Sequence, residues 1–426
     1  MLHSIPTEKL GAFGPAMAGA VQSCVHCGFC LAACPTYGEL GQEMDTPRGR
    51  IVLMKQALEG GLPFAAAQLH VDRCLGCLAC EPACPSGVRY RDLINPFRTL
   101  TRSRSELSKA QLLKRFLLAQ LLPFPDRFRL AARVGILMKR VSSSLPRAIR
   151  PLLDLLPDAL PGDQTWPAIT QAQGQRRARV ALLTGCVQQV LDPDINTATI
   201  EVLSRQGVEV LVPSNQACCG GLAWHTGDLA AAQRFASENI AAFPRDVDAL
   251  VTNAAGCGST MHEYDLVLKG TGEESRVDSF RNRVMDVSVF LDRLGLRDLP
   301  GPLNVQRIAY QDACHLAHAQ GVSAEPRRLL RAIPGIELVE LADAHLCCGS
   351  AGTYNMDQPQ LAAALGQKKA RAILATGVQV VVSGNIGCIN QIRIHLGKLG
   401  TSIPVRHTMQ ILRDAYHQLP HVRQKD

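Results

Sequence analysis

The sequence contains no long uncharged apolar run. No stretch of its 426 residues reaches the roughly 18 apolar residues that a helix needs to span a bilayer. Residues 1–20 include Glu8 and Lys9, and they lack the charged start and continuous apolar run of a secretory signal. We therefore expect a cytosolic protein, in which clustered cysteines indicate metal sites rather than disulfides.

Two common active-site motifs are also missing. No GxGxxG fingerprint follows a predicted strand, and no nucleophile elbow is present. The chain therefore carries no sequence signature of a dinucleotide site or of a serine hydrolase.

Acidic residues are scarce in one segment. Between Pro96 and Arg150 there are thirteen Lys and Arg but only Glu106 and Asp126 as acids, in a chain of net charge +8. Because this charge is local and lies beside apolar runs, it favours a docking surface over nucleic-acid binding. The alternatives are a solvated helix face, a surface for a protein partner and a surface for anionic lipid.

Composition and turn residues divide the chain into segments. Helices are predicted over Leu107–Leu122 and Arg127–Val141, separated by Pro123 and Pro125. Residues 151–175 are rich in Pro and Gly, which is typical of a linker. The predicted units are a helical lead-in (1–20), a region with two cysteine quartets (21–95), a basic helical segment and linker (96–175), and two copies of a repeated domain (176–300 and 301–426).

The C-terminal half contains an internal repeat of cysteines. Cys186, Cys218-Cys219-Gly220 and Cys257 recur as Cys314, Cys347-Cys348-Gly349 and Cys388, at offsets of 128, 129 and 131 residues. Three landmarks at a nearly constant offset indicate a duplicated domain.

Each landmark follows a predicted strand, and helices such as Leu229–Ala242 and Gln360–Leu374 lie between them. Alternating strands and helices predict a parallel sheet, with sites beyond the carboxyl ends of the strands. We therefore expect the cysteines of each copy to converge at one sheet edge. The predicted strands are Val180–Leu183, Val208–Val212, Ala249–Thr252, Arg307–Tyr310, Glu337–Leu341 and Val378–Val382.

The N-terminal quartets have the spacing of bacterial ferredoxins, Cys-x2-Cys-x2-Cys-x3-Cys-Pro, a pattern that binds two [4Fe–4S] clusters and exchanges the fourth ligand between them. This predicts one cluster on Cys24, Cys27, Cys30 and Cys84, and a second on Cys74, Cys77, Cys80 and Cys34. Pro35 and Pro85 are expected to end a local helix. Zinc is the alternative metal, but zinc sites usually use separate CxxC pairs.

The Cys-Cys-Gly copies allow more than one interpretation. Four cysteines per copy suit one further iron–sulfur cluster, with Gly220 and Gly349 permitting close backbone approach. A thiol redox site and a set of small buried side chains are the alternatives.

Other residues near the cysteines have weaker signals. His225, His262, His315 and His345 are interpreted as hydrogen-bonding or surface residues rather than as metal ligands. His26 is expected to shield or tune its cluster. For Arg48 and Arg50, stabilising a reduced cluster and pairing with an acid are equally favoured.

Longer motifs make the sequence similar to the iron–sulfur subunit of bacterial glycolate oxidase (glycolate dehydrogenase). The resemblance covers nearly the whole chain and rests on these strings: Cys24-Val-His-Cys-Gly-Phe-Cys30, Cys34-Pro-Thr-Tyr37, Pro47-Arg-Gly-Arg-Ile51, Cys84-Pro-Ser-Gly-Val-Arg-Tyr90, His345-Leu-Cys-Cys-Gly-Ser-Ala-Gly-Thr-Tyr354 and Asn385-Ile-Gly-Cys388.

The resemblance implies an α+β protein with a helical ferredoxin-type 2[4Fe–4S] domain followed by a duplicated α/β domain. It implies that FAD-binding partner subunits oxidise glycolate to glyoxylate, with D-lactate to pyruvate as a second reaction. This chain would carry electrons onward to a quinone or another acceptor and would not oxidise glycolate alone. A peripheral position on the cytoplasmic face of the inner membrane is expected.

Two other functions compete with this prediction. One is the equivalent subunit of an anaerobic glycerol-3-phosphate or lactate dehydrogenase. The other is a thiol–disulfide reductase, because the repeated domains also resemble those of heterodisulfide reductases. In those enzymes a further cysteine follows the last one by three residues, whereas this chain has Thr260 and Gln391 there. That departure argues against their double-cubane-like cluster and against disulfide reduction.

Overall fold

A computed structural model describes residues 2–104, 108–139 and 153–418. The N-terminal part consists of helices and cysteine-bearing turns. A 3-10 helix, Thr7–Phe13, leads into α1, and a second short 3-10 helix covers Glu43–Asp45. The α-helices of this part are α1 Gly14–Gln22, α2 Pro35–Leu40, α3 Pro47–Leu58, α4 Phe64–Val71 and α5 Arg91–Arg102.

One expectation about these helices is wrong. Pro35 does not end a helix but begins α2, with Cys34 as the preceding cap residue. Proline is favoured at the first helical position because its missing N–H would have no partner there. Pro85 lies in a turn.

The basic segment forms two helices, α6 Lys109–Leu121 and α7 Pro125–Lys139. Ser108 caps α6 in a capping box with Gln111, which explains where this helix begins. Val141, the predicted end of the second helix, lies outside the described residues. Within the ranges that the structure covers, no helix is long and apolar enough to cross a membrane.

The first Cys-Cys-Gly copy is built on a five-stranded sheet in the order β1-β3-β2-β4-β5. Its strands are β1 Ile169–Thr170, β2 Ala178–Leu183, β3 Val208–Leu211, β4 Ala249–Thr252 and β5 Val284–Asp286. All pairs are parallel except β1 with β3. The helices are α8 Gln188–Leu191, α9 Asp194–Arg205, α10 Gly221–His225, α11 Leu229–Ala242, α12 Ala255–His262, α13 Tyr264–Val267, α14 Glu274–Arg281 and α15 Val287–Leu294.

The second copy has a four-stranded parallel sheet in the order β7-β6-β8-β9. Its strands are β6 Arg307–Tyr310, β7 Glu337–Glu340, β8 Val380–Val382 and β9 Val405–Arg406. The helices are α16 Cys314–Ala317, α17 Ala324–Arg331, α18 Tyr354–Asp357, α19 Pro359–Leu374, α20 Ile386–Lys398 and α21 Thr408–His417. The order β7-β6-β8-β9 repeats the order β3-β2-β4-β5, so the duplication and the parallel sheets are confirmed.

The six predicted strands are all present, and three short ones were not predicted. β1, β5 and β9 have only two or three residues each, and β1 lies inside the segment interpreted as a linker. So short a strand leaves almost no alternation of apolar and polar residues to detect.

The two sheets share one core. Val180 and Val251 of the first sheet belong to the same buried cluster as Ile308 and Val382 of the second. The opposite face of the first sheet, with Leu183 and Leu250, packs with the N-terminal helices. This layering holds the cysteine-bearing turns against both repeated copies.

Candidate iron–sulfur sites

The two loops that carry the N-terminal quartets have the same backbone shape. His26 and Gly28 in the first loop, and Gly76 and Leu78 in the second, have φ values of 58°, 88°, 65° and 58°. These are corresponding positions, and backbone of this kind directs N–H groups into an anion-binding concavity. The Gly76 N–H donates to Cys74 Sγ at 3.4 Å. The loops are therefore shaped to receive anionic sulfur.

Each N-terminal cavity is lined by cysteines from both quartets. The first is lined by Cys24, Cys27, Cys30 and Cys84, and the second by Cys34, Cys74 and Cys77, while Cys80 borders both. Cys34 and Cys84 thus each lie with the three cysteines of the other motif.

The donor set of these cavities suits a group of several atoms. The thiols of each cavity stand around a space, as four ligands of a cubane must. Cys27 is exposed, whereas burial, together with neighbouring cysteines, raises the pKa of the Cys77 and Cys80 thiols.

A buried cation stands beside the second cavity. Arg50 is 1% exposed; its Nη1 lies 3.9 Å from Cys34 Sγ, and its Nε donates to the His70 carbonyl at 2.7 Å. Burial works to lower the pKa of this guanidinium, but nearby Cys74, Tyr90, Cys34 and Asp45 outweigh it and raise the pKa. Arg50 therefore both pairs with Asp45 and faces the cysteines. Arg48, by contrast, pairs with Glu43 at 2.7 Å and donates to the His26 carbonyl at 3.1 Å.

The first Cys-Cys-Gly copy brings its four cysteines together beyond the carboxyl ends of β2, β3 and β4. Cys186 Sγ lies 3.4 Å from Cys218 Sγ. Cys219 is within hydrogen-bonding reach of Cys218 and Cys257 and accepts from the Gly221 N–H at 3.4 Å. These hydrogen bonds lower the pKa of the Cys219 thiol.

The second copy repeats this arrangement. Cys348 is within hydrogen-bonding reach of Cys347 and Cys388, and these contacts lower the pKa of its thiol. Cys314 is within reach of Cys347 in turn. Cys388 also accepts from the Asn385 side chain at 3.5 Å.

The position after each cysteine pair has too little room for a side chain, so glycine is required there. Gly349 has φ of 86°, and a Cβ there would stand 2.6 Å from the Ala362 carbonyl oxygen. Gly220 has φ of 80°, and its Cβ would meet the Ala232 carbonyl oxygen at 3.3 Å. Helices α19 and α11 therefore pack directly on these turns.

The second N-terminal site lies against the second repeated copy. Leu75 belongs to one buried cluster with Cys347 and Tyr354, and Cys77 and Cys314 pack on it. The Tyr354 hydroxyl donates to the Arg73 carbonyl at 2.8 Å, and His315 Nε2 lies 3.0 Å from the Gly76 carbonyl oxygen. The two N-terminal sites share Cys80 as a border, so these two sites and the site of the second repeated copy form a series from exposed Cys27 to buried Cys347.

The four histidines that lie near the Cys-Cys-Gly cysteines in the sequence have different surroundings. His225 and His315 lie with ring centroids 5.2 Å apart, between the N-terminal part and the repeated copies. His262 lines a separate polar pocket with Arg281. The backbone carbonyl of His345 lies 2.9 Å from His318 Nε2.

The positions that depart from heterodisulfide reductases have packing roles. Thr260 is buried, and its hydroxyl donates to the Gly256 carbonyl at 2.9 Å. Gln391 is buried and donates to the Ala362 carbonyl at 3.1 Å.

Sequence reasoning missed two residues of these sites. Tyr90 is buried and lines both N-terminal cavities, with its hydroxyl 4.0 Å from Cys74 Sγ. Lys369 is 1% exposed, and its charge contributes to the lowered pKa of Cys348. A lysine among the apolar positions of α19 was the available signal, because lysine is rarely buried without a partner.

Comparison with known families matches both halves of this architecture. Residues 20–88 match the 4Fe-4S dicluster domain, and residues 180–262 and 308–393 each match the CCG cysteine-rich domain. The chain is therefore an iron–sulfur protein with a ferredoxin-type domain and two CCG domains.

Relatives that cover nearly the whole chain narrow the family. The probable glycolate oxidase iron-sulfur subunit of Bacillus subtilis (strain 168) is 36% identical over 419 residues, covering 93% of this chain and 94% of that protein. The glycolate oxidase iron-sulfur subunit of Escherichia coli (strain K12) is 35% identical over 403 residues, with the same coverage of 93% and 94%. This chain belongs to the family of glycolate oxidase iron–sulfur subunits.

A shorter relative matches about half of the chain. Lactate utilization protein A of Oceanobacillus iheyensis is 30% identical over 236 residues, covering 55% of this chain and 96% of that protein.

Proposed function

We propose that this chain is the electron-transfer subunit of a complex that oxidises glycolate to glyoxylate. One observation carries the proposal: the two N-terminal cysteine sites and the site of the second CCG copy form a series from exposed Cys27 to the buried pair Cys347-Cys348. FAD-binding partner subunits oxidise the substrate, and this chain supplies no residue that we assign to that reaction. The relatives named as glycolate oxidase subunits support the choice of substrate.

Two [4Fe–4S] clusters occupy the N-terminal cavities in this proposal. The crossed lining of these cavities supports the exchange of Cys34 and Cys84 between the motifs. Cys24, Cys27, Cys30 and Cys84 are then the ligands of one cluster, and Cys74, Cys77, Cys80 and Cys34 those of the other.

Each CCG copy holds one further iron–sulfur cluster in this proposal. The ligands are Cys186, Cys218, Cys219 and Cys257 in the first copy, and Cys314, Cys347, Cys348 and Cys388 in the second. Support comes from the convergence of four cysteines at one sheet edge in each copy and from the backbone N–H groups of Gly220 and Gly221, which donate to sulfur at 3.5 and 3.4 Å.

Iron–sulfur clusters take up and release one electron at a time, and the protein sets how easily they do so. Arg50 balances negative charge at the second cavity. Tyr90 excludes water there, because it is buried between both cavities.

The substrate is tested on the assembled complex. Partner subunits purified with this chain should reduce a soluble dye with glycolate, and the chain alone should not. Glycerol 3-phosphate as the preferred substrate would replace the proposed function with the sister dehydrogenase. Turnover of a disulfide by the isolated chain would replace it with a thiol–disulfide reductase.

Lactate is a second candidate substrate. The similarity to lactate utilization protein A over 55% of the chain favours it. Comparing kcat/KM for glycolate and D-lactate in the same complex distinguishes the two.

We also propose that helices α6 and α7 dock the protein on the cytoplasmic face of an anionic membrane. Both helices expose apolar side chains to solvent, at 46–65% exposure. Exposed Lys109, Arg127 and Arg133 lie on the same helices and complement anionic lipid headgroups. The exposed apolar residues are Leu112, Leu113, Phe116 and Leu117 of α6, and Leu130, Val134 and Leu137 of α7.

A further inference from the structure

A cavity of about 360 Å³ lies where the N-terminal helices, α6 and both CCG copies meet. This volume is within the range of about 300–1,000 Å³ that is typical of small-molecule sites. Cys74, His225 and His315 all border the cavity. Exposed Gln111 and Asp357 also contribute to the lining, so the cavity opens to the surface.

The lining favours an uncharged ligand. Leu75, Leu118, Leu222 and Phe235 provide apolar walls. Two of the four cations that line the cavity form ion pairs within the chain, Lys114 with Asp357 at 2.7 Å and Arg102 with Asp228 at 2.7 Å. Because Asp72 also lines the cavity, four cations face three carboxylates, and little net positive charge is left to attract a phosphorylated or multiply charged substrate.

Two buried polar atoms of the lining have no hydrogen-bond partner among the residues that the structure describes. They are Nη1 of Arg115 and Nε2 of His225. Buried polar atoms are nearly always hydrogen-bonded, so both are candidates for ligand contacts.

The hydrogen-bonding roles of these two atoms differ. Asn95 donates to Glu263 at 3.1 Å through its amide nitrogen, which leaves its amide oxygen, 3.4 Å from His225 Nδ1, as an acceptor. Nδ1 of neutral His225 then carries the proton, and Nε2 is an acceptor. Arg115 is a donor only.

Helix α6 connects the cavity with the proposed membrane surface. Its Leu112, Leu113, Phe116 and Leu117 are exposed, whereas Gln111, Lys114, Arg115 and Leu118 line the cavity. A lipid-soluble molecule at the outer face of α6 is thus one helix thickness from the cavity, which Cys74 borders.

We propose that this cavity binds the ring of a membrane quinone, which is the electron acceptor of the complex; the proposal rests on the function proposed above. A quinone is uncharged and apolar, with carbonyl oxygens that accept hydrogen bonds. Arg115 donates to a quinone carbonyl, and His225 Nε2 accepts from a hydroxyl of the quinol. Reduction adds two electrons, supplied by the substrate-reduced complex, and two protons, supplied by water at the cavity mouth.

Direct binding to the full, cluster-loaded chain tests the site. The probe is a water-soluble ubiquinone analogue with one isoprene unit, titrated anaerobically by calorimetry without lipid or detergent. Leu118→Trp fills the cavity and should weaken binding at least tenfold. Leu117→Trp is the matched control on the exposed face of the same helix and should change the Kd less than twofold. An azido derivative of the quinone should label peptides that line the cavity.

A second variant tests the site even if the Leu118→Trp protein does not fold. Arg115→Gln removes the unpaired donor and should weaken quinone binding severalfold, while the visible spectrum of the clusters stays unchanged. Parental affinity in both variants, or labelling confined to peptides away from the cavity, would overturn the proposal.

The outcomes distinguish a failure of the quinone site from a failure of the proposed function on which it rests. If glycolate still reduces a soluble dye through the complex but the quinone does not bind, the quinone site is wrong and the subunit role stands. If the quinone binds as expected but no hydroxy acid reduces the complex, the site stands and the proposed function is wrong.

Discussion

Lys369 in the second CCG copy stands where Asn239 stands in the first. Each residue lies one helical turn beyond the side chain, Leu365 or Phe235, that packs on the glycine of its cysteine pair. The Asn239 side chain donates to the Cys218 carbonyl at 2.9 Å, whereas Lys369 Nζ donates to the Asp343 carbonyl at 2.5 Å. The two copies thus have the same cysteine geometry but different buried charge.

This difference predicts unequal reduction potentials. A buried cation favours the reduced, more negative state of a nearby cluster. Lys369→Gln should therefore lower the reduction potential of the second CCG site by tens of millivolts, which is on the order expected for one charge at a distance of several Å to 10 Å. Redox titration followed by EPR measures this shift. Lys368→Gln is the control, because Lys368 is half-exposed and pairs with Glu39 at 3.4 Å. Equal potentials in the two variants would contradict the prediction.

The exchange of fourth ligands predicts a pattern in double variants. Cys34→Ser should lower the iron content by about four atoms per chain. Adding Cys74→Ser should remove no more iron, because both cysteines serve one cluster. Adding Cys24→Ser instead should remove about four further atoms. Iron and sulfide analysis of anaerobically purified protein gives the answer, and the reverse pattern would show that each motif keeps its own fourth cysteine.

The glycines of the cysteine pairs allow a stability test. Gly349→Ala forces a Cβ to within 2.6 Å of the Ala362 carbonyl at φ of 86°, so it should cost at least about 1–2 kcal/mol. Gly220→Ala should cost less, because its nearest contact is 3.3 Å. Gly397→Ala in α20 has free space and should stabilise the protein by about 0.5–1 kcal/mol. Thermal unfolding under anaerobic conditions ranks the three variants, and any other order would contradict this packing.

Glu263 predicts a dependence of stability on pH. This carboxylate accepts from Trp224 Nε1 at 2.7 Å, and burial raises its pKa to about 7. Between its ordinary pKa of 4.5 and 7, the folded chain keeps a proton that the unfolded chain has released. The contribution of Glu263 to the free energy of unfolding therefore falls as the pH rises through that interval.

Glu263→Gln removes this dependence and retains the hydrogen bond from Trp224. Relative to the parent, the variant should be more stable at pH 8 than at pH 5, by up to about 3 kcal/mol. Thermal midpoints at the two pH values measure the difference. Glu238→Gln, at a half-exposed position, should show no such trend. A trend equal to that of Glu238→Gln would mean that Glu263 ionises normally.

Much of the fold was predictable because its signals are local. The strands Ala249–Thr252 and Arg307–Tyr310 have the predicted bounds, and helix α11 has the predicted range Leu229–Ala242. These segments combine apolar runs with clear turn residues. The convergence of cysteines followed from parallel strands, whose carboxyl ends share one edge.

The roles of Lys369, Tyr90 and Arg115 were not predictable in this way. Each depends on contacts between segments that are distant in the sequence, as in the contact of Lys369 with Asp343. Tyr90 lies between two cysteine loops, and Arg115 faces a cavity that exists only where α6 meets both CCG copies. Nothing in the neighbouring sequence records those distances. Pro35 was misjudged for a local reason, since proline both ends and begins helices.

The exposed face of α6 predicts membrane binding that depends on apolar contact. Replacing Leu113, Phe116 and Leu117 with Gln should weaken binding to vesicles rich in phosphatidylglycerol by at least tenfold, because burying one such side chain contributes about 1.5–3 kcal/mol. Co-sedimentation with vesicles measures the effect. The matched control replaces Leu69, Leu299 and Leu399, which are also exposed but lie outside the two helices, and should bind as the parent does.

Charge contributes to the same docking in a way that salt reveals. Replacing Lys109, Arg127 and Arg133 with Gln should weaken vesicle binding at low salt. The effect should become smaller as salt rises, because attraction between exposed charges is screened beyond about 10 Å at 0.1 M. The apolar triple variant should instead bind weakly at every salt concentration. All cysteine sites should keep their visible spectrum in both variants, since none of the replaced residues is a proposed ligand. Unchanged sedimentation of both variants would show that α6 and α7 face a protein partner rather than lipid.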